Sequence, residues 1–230
     1  MERITWFTVV SFANLIFSSA IVLTAFSLLA YLITHNIRSP VARAFCALLG
    51  FVSIVYAGDI VVTLLKGDPV ALHWLRFQWL GIAFIPAAYL HLSAAILRST
   101  FAPSRPRRLG VLSTYALGLT FCVLALATDL VVQDGVTSEF LDYLAAGPLF
   151  AIFSIYYVVA TGAGAWNLYQ ARRRCLTATT RRRMTYLSVA YIAPALGVFP
   201  FLLFTGMSDM ASPTLVMGVA TLGNAAVAVM

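Results

Sequence analysis

The sequence predicts an all-α, polytopic membrane protein: a bundle of seven transmembrane helices, amino terminus outside and carboxyl terminus inside. Three observations predict it. Of the 230 residues, 61% are hydrophobic and only 10% charged, with a mean hydropathy of +0.92. Soluble domains are about 45–50% apolar and about 25% charged, and no water-soluble fold hides that much apolar surface. The apolar residues also fall into runs of the roughly 20 needed to cross a bilayer at about 1.5 Å per residue, and the loops between the runs alternate in charge.

Marking apolar runs bounded by charge, Pro or Gly clusters gives seven spans, at about 4–33, 44–65, 74–97, 109–132, 143–169, 184–206 and 213–230. The first is too long for the core of a signal peptide and lacks a small-x-small cleavage site before Thr34, so it reads as a retained span.

Basic residues collect in alternate loops: Arg38 and Arg43 in the first; Arg98, Arg105, Arg107 and Arg108 in the third; Arg172, Arg173, Arg174, Arg181, Arg182 and Arg183 in the fifth. None of the acidic residues lies in those loops. Excess Lys and Arg marks the cytoplasmic face, which orients the chain and argues against nucleic acid as the partner of its +7 charge. The arginines read first as anchors meeting anionic head groups, with docking of a cytoplasmic partner as the alternative. Trp6, Trp74, Tyr143, Trp166 and Tyr169 stand near the predicted interfaces, as an aromatic belt does.

Cys46, Cys122 and Cys175 occur singly, without the paired spacing of a disulfide framework or a zinc site. No metal and no cofactor is expected. Proline interrupts predicted spans at Pro86, Pro148, Pro194 and Pro200, and each removes a helical donor and can kink its helix. The close pair in the sixth span makes that span a candidate hinge. The small residues of Ala160-Thr-Gly-Ala-Gly164 suit close helix packing.

An ionisable residue inside a membrane is costly, so each is a functional hypothesis with a partner to be named. Asp59 lies near the outer end of the second span, and Arg76 in the first turn of the third, across a short loop, so a salt bridge between them is expected. Tyr56 and Thr63 share the helical face of Asp59. Trp79 follows Arg76 by one turn, and Ser11, Asn14 and Ser18 form a polar stripe on the first span. Asp59, Arg76, Tyr56, Trp79 and Asn14 are therefore the expected lining of an outward-opening pocket for a small amphipathic molecule, with Phe77 and Phe150 as aromatic walls. The same residues would look alike if Asp59 and Arg76 did no more than neutralise each other and fix helix register.

Other chemistries fail on residue grounds. His73 and His91 share one helix too far apart to hold a haem between them, and His91 is expected to hydrogen-bond to a neighbouring helix. Lys66 is the only lysine and lies in a loop, so no retinal Schiff base is available. No His-Glu-x-x-His motif occurs, and no pair of aspartates suits an intramembrane protease. No two halves show the internal repeat usual in a secondary transporter. A small channel using Asp59 has only Tyr157, Thr161 and Asn167 to continue a polar path. No catalytic residue is assigned.

The stretch His73-Trp-Leu-Arg-Phe-Gln-Trp-Leu-Gly-Ile-Ala-Phe-Ile-Pro-Ala-Ala-Tyr-Leu-His91 resembles the amino-terminal seven-transmembrane sensor region of bacterial histidine kinases, with Trp74, Arg76, Gln78, Trp79, Gly81 and Pro86 carrying the likeness. The resemblance implies a non-enzymatic sensory input module of a two-component system in the bacterial cytoplasmic (inner) membrane. Such a module couples an extracellular or in-membrane stimulus, through the last helix, to a cytoplasmic kinase or other output domain in cis. Kinase sensors of this kind are usually dimers, and the sequence leaves a homodimer or a larger membrane complex open. The whole chain reads as one module, 1–230, with the output domain expected after Met230. A chain ending naturally there would favour the alternative, a non-catalytic transmembrane subunit of a larger complex.

Overall fold

A helix whose surroundings are apolar on every side must satisfy its backbone internally, and the long apolar runs of this chain do so. The computed structural model describes residues 2–65, 67–100, 105–136 and 143–173, together with 182, 185, 221–225 and 227–228. Helix α1 (Glu2–His35) is followed by α2 (Pro40–Leu64), α3 (Val70–Ile82), α4 (Ile85–Thr100) and α5 (Arg105–Ala127). A hairpin of β1 (Val132–Val136) and β2 (Tyr143–Ala146) then leads into α6 (Phe150–Arg173). Among the described residues, five segments are long and apolar enough to cross a membrane: Thr8–His35, Pro40–Leu64, Val70–Arg98, Arg105–Ala127 and Phe150–Arg173. The expected spans at 184–206 and 213–230, with Pro194 and Pro200, lie outside the described residues except for 185 and the helical 221–225 and 227–228.

Helix starts follow the sequence. Pro40 opens α2 in its first turn, where the missing N–H of proline costs nothing and its fixed φ suits a helix. Helix α2 packs on α1, α3 and α4, while α4 packs on α5 and α6. The buried cluster runs from Ile21 through Val52, Val55 and Tyr56 to Tyr89, Phe121, Phe153 and Leu168. Phe12, Ile16, Leu23 and Phe26 of α1, Leu112, Leu119 and Val123 of α5, and Ile155, Val158 and Val159 of α6 turn outward and are exposed. Such apolar exteriors are stable when the solvent is lipid and would be adhesive in water.

The predicted third span is two helices. Pro86 carries no N–H to donate to the carbonyl four residues back, and the helix is interrupted at Ala83–Phe84 in the turn before it. The Tyr156 hydroxyl on α6 fills part of the gap, lying 2.9 Å from the Thr114 carbonyl of α5, to which it donates, and 3.4 Å from that of Ala83. Gly118 of α5 makes room: a Cβ there would stand 2.9 Å from the Ala83 oxygen and 3.3 Å from the Tyr156 hydroxyl.

The predicted fourth and fifth spans are shortened where they face each other. Helix α5 ends at Ala127, and 132–136 pairs antiparallel with 143–146, matching Val132 with Ala146, Gln133 with Ala145 and Val136 with Tyr143 across an irregular step. A purely helical reading therefore missed a small hairpin. Asp129, Gln133, Asp134 and Gly135 break the apolar run too sharply for a helix to continue into lipid. Val131, Val132 and Leu144 are buried, and the hairpin rests on α3. Pro148 lies in the turn before α6 and kinks no helix.

Gly118→Val is expected to destabilise the protein by about 1–3 kcal/mol, the usual cost of overpacking, with Tyr156→Phe costing about 1 kcal/mol for one lost hydrogen bond. Thermal unfolding in detergent checks both; an unchanged midpoint for Gly118→Val would show that α5 does not approach the break this closely.

Candidate functional site

Asp59 is held by α1. Gly58 abuts the Gln78 side chain of α3, whose amide donates to the Val55 carbonyl at 3.2 Å. One residue further along a helix turns the side chain by about 100°, so Asp59 looks away from α3 and toward α1. There Asn14 Nδ2 donates to Asp59 Oδ2 at 3.2 Å, and Ser18 Oγ donates to the same oxygen at 2.5 Å. Asn14 and Ser18 are one turn apart, on one face. Asp59, Asn14 and Ser18 are buried, with Ser18 fully so. Thr63, one turn beyond Asp59, bonds back to the Asp59 backbone carbonyl at 2.8 Å and adds nothing to the carboxylate.

The cluster extends to the far end of the chain. Asn224 Nδ2 donates to Asn14 Oδ1 at 2.7 Å, so the Asn14 amide bridges Asp59 on one side and Asn224 on the other. Asn224 is 1% exposed. Two further polar atoms there lack partners among the described residues: the hydroxyl of Tyr56, three residues before Asp59, and Oδ1 of Asn224. A buried polar atom without a partner costs about 1–3 kcal/mol. The cluster thus offers one hydroxyl and one carbonyl oxygen that an added polar molecule would satisfy.

The expected partnership of Asp59 with Arg76 is corrected. Arg76 forms its ion pair with Asp129, just past the end of α5. Arg76 of α3 lies at the hairpin end of the bundle, where Asp129 is exposed and Asp59 is turned to the other side of α2. Trp79 packs instead among aromatic rings, with centroids 4.9 Å from Phe153 and 6.4 Å from Phe150 of α6. Phe77 is exposed and forms no wall of the Asp59 cluster. Of the five expected site residues, the structure brings together Asp59, Asn14 and Tyr56; Arg76 and Trp79 belong to the seam between α3, the hairpin and α6. His91 meets a neighbouring helix as expected, its Nδ1 lying 3.2 Å from the Tyr115 hydroxyl of α5.

Asn224 was not singled out in the sequence, although an asparagine within an apolar run is itself a signal that a polar partner waits on another helix. Asp129 falls within the predicted span at 109–132, near its outer end; the signal was an acid at that end of the span, level with Arg76 at the outer start of the third. Among the described residues no group of three or more His, Cys, Asp or Glu side chains could hold a metal ion, and Cys46 and Cys122 are buried and free.

Apolar outer faces, polar contacts turned inward and arginines at the helix ends define a multi-pass membrane module. The chain belongs to the family described as the N-terminal 7TM region of histidine kinase, whose profile matches residues 9–230. That family is the membrane-embedded, non-catalytic input part of such kinases. No curated protein matches the chain in sequence.

A double-mutant cycle of Ser18→Ala and Asp59→Asn, read by unfolding in detergent, is expected to give a coupling of about 0.5–1.5 kcal/mol, the range of buried interhelical bonds in membranes. Additive losses would mean that the two side chains do not interact. Asp129→Asn, breaking a pair whose acid is 68% exposed, is expected to cost less than about 1 kcal/mol.

Proposed function

We propose that this chain is the sensory input region of a signal-transducing histidine kinase of the bacterial cytoplasmic membrane, spanning it seven times with the amino terminus outside. In this reading a small amphipathic molecule, arriving from outside or from within the bilayer, engages the cluster of Asp59, Asn14, Tyr56 and Asn224. The change passes to a cytoplasmic output domain carried in cis.

The observation that carries the reading is the double use of the Asn14 amide. Its nitrogen serves Asp59 and its oxygen serves Asn224, so α1, α2 and the helical residues 221–225 share one polar junction. A ligand that takes over either bond reorients the amide and changes what holds Asn224. Because 221–225 lies close to the carboxyl end of the sequence, a shift there is suited to reach an output domain in cis. The Tyr56 hydroxyl and Asn224 carbonyl oxygen, without partners among the described residues, favour a ligand bearing both an acceptor and a donor. Arg76 and Trp79 would then act on the signal by anchoring α3 to the hairpin and α6, without touching the ligand.

The test is autophosphorylation of the full-length protein in membranes with labelled ATP. Phosphate incorporation that shifts severalfold on Asp59→Asn, with the protein still folded and inserted, is the expected result. Absence of labelling, or labelling indifferent to Asp59→Asn, contradicts the proposal.

A further inference from the structure

The arginine-rich helix ends enclose a cavity of about 870 Å³, bounded by the first turns of α2 and α5 and the second half of α4. Arg43, Arg98, Arg105, Arg107 and Arg108 form its rim, and among the described residues no acidic one lines it. The inner wall is different in kind. Ala95 of α4 and Val111 and Leu112 of α5 make it apolar, with His91 and Tyr115 at its inner limit. His91 and Tyr115 each lie seven residues inside a rim arginine, so the cavity reaches roughly 10 Å along the helix axes at about 1.5 Å per residue.

The rim arginines stand in the wrong place for their own helices. The amino-terminal end of a helix carries the positive end of its dipole and is stabilised by acidic residues or anions. The first turn of α5 instead contains Arg105, Arg107 and Arg108, that of α2 contains Arg43, and neither holds an acid. Two positive helix ends and the guanidinium groups of Arg43, Arg98, Arg105 and Arg108 therefore converge with no carboxylate among the described lining residues. An anion would relieve that repulsion and accept the planar, two-pronged donation that arginine offers to phosphate. Only Arg98, at the carboxyl end of α4, suits its helix without one.

The apolar wall separates two sources of phosphate. A free phosphate would use the rim alone and leave the inner wall idle. A phospholipid fills both, with its phosphodiester at the rim and its hydrocarbon along Val111 and Leu112; Leu112 is itself 65% exposed on the outer face of α5, so the path into the surrounding lipid is open. We propose that this cavity binds the headgroup of an anionic phospholipid, gripped by the arginines of α2, α4 and α5. The site is separate from the Asp59 cluster and stands or falls independently of the sensory reading. Bound there, the lipid ties α2, which carries Asp59, to α5 and to α4, the helix that follows the Ala83–Phe84 break.

The test uses the full-length protein purified in detergent. Phosphatidylglycerol, phosphatidylcholine or inorganic phosphate is added, and bound lipid is counted by native mass spectrometry alongside thermal unfolding. Phosphatidylglycerol is expected to be retained and to raise the unfolding midpoint, while phosphatidylcholine does neither. Arg108→Gln should weaken retention about fivefold, and Arg98→Gln/Arg105→Gln/Arg108→Gln by more than about tenfold, following the usual contribution of each basic residue at an anionic surface. Arg172→Gln/Arg173→Gln, removing charge from the end of α6 outside the cavity, should leave retention unchanged. Equal retention of the two lipids, equal loss in the α6 control, or unchanged retention in Arg108→Gln would overturn the proposal. Stabilisation by inorganic phosphate equal to that by phosphatidylglycerol would also overturn it, in favour of a small-anion site.

Discussion

A carboxylate removed from water must be given hydrogen-bond donors by its surroundings, and the placing of Asp59 dictates much of the arrangement around it. Its donors come from Asn14 and Ser18, one turn apart on α1, so the rotation of α1 about its own axis is fixed by a polar contact, where apolar packing against lipid-like surroundings would leave it loose. With Asp59 committed to α1, the adjoining face of α2 is left for α3, where Gly58 admits Gln78 and the Val55 carbonyl receives its amide. The same carboxylate, through Asn14, reaches Asn224.

The remaining helices follow the same logic with neutral groups. Tyr156 bonds α6 to α5, His91 bonds α4 to α5, and Asn167 donates to Ser93 at 3.3 Å to join α6 to α4. Each contact is modest in energy, about 0.6 kcal/mol on average in membrane proteins. Their importance is directional: in a bilayer the hydrophobic effect does not distinguish a helix neighbour from a lipid tail, so sparse polar bonds and close contacts at small residues decide which faces meet. The break at Ala83–Phe84 belongs to this scheme. Proline removes one helical bond there, and Tyr156 and Gly118 hold the resulting gap against two other helices. The two ends of the bundle are accordingly unlike: one is closed by the hairpin and the Arg76–Asp129 pair, the other opens into the arginine-rimmed cavity.

The described spans were largely legible in the sequence because crossing a bilayer demands long, uninterrupted apolar runs, and α1 and α2 fall close to the expected limits. The interruption before Pro86 was legible for a chemical reason, the missing N–H. The hairpin was not: Val132 and Tyr143–Ala146 are apolar enough to pass as the ends of spans, and only their mutual pairing, a long-range property, makes them strands. At the site, Asn14, Tyr56 and Asp59 could be read as one group because helical spacing and intramembrane polarity both select them. The partner of Asp59 could not. Proximity in the chain favoured Arg76, whereas the partner is set by which way a side chain turns on α2, a difference of one residue between the face toward α3 and the face toward α1.

The Asn14 amide bonds to both Asp59 and Asn224, and a functional cycle on Asn14 and Asn224 tests most directly whether that junction transmits a signal. Autophosphorylation of the full-length protein would be measured in membranes for Asn14→Ala, Asn224→Ala and the double variant. If the junction transmits the signal, either single change removes it and the double variant behaves like one single variant. Effects that multiply independently would contradict the account and leave the hydrogen bond between Asn14 and Asn224 as packing alone.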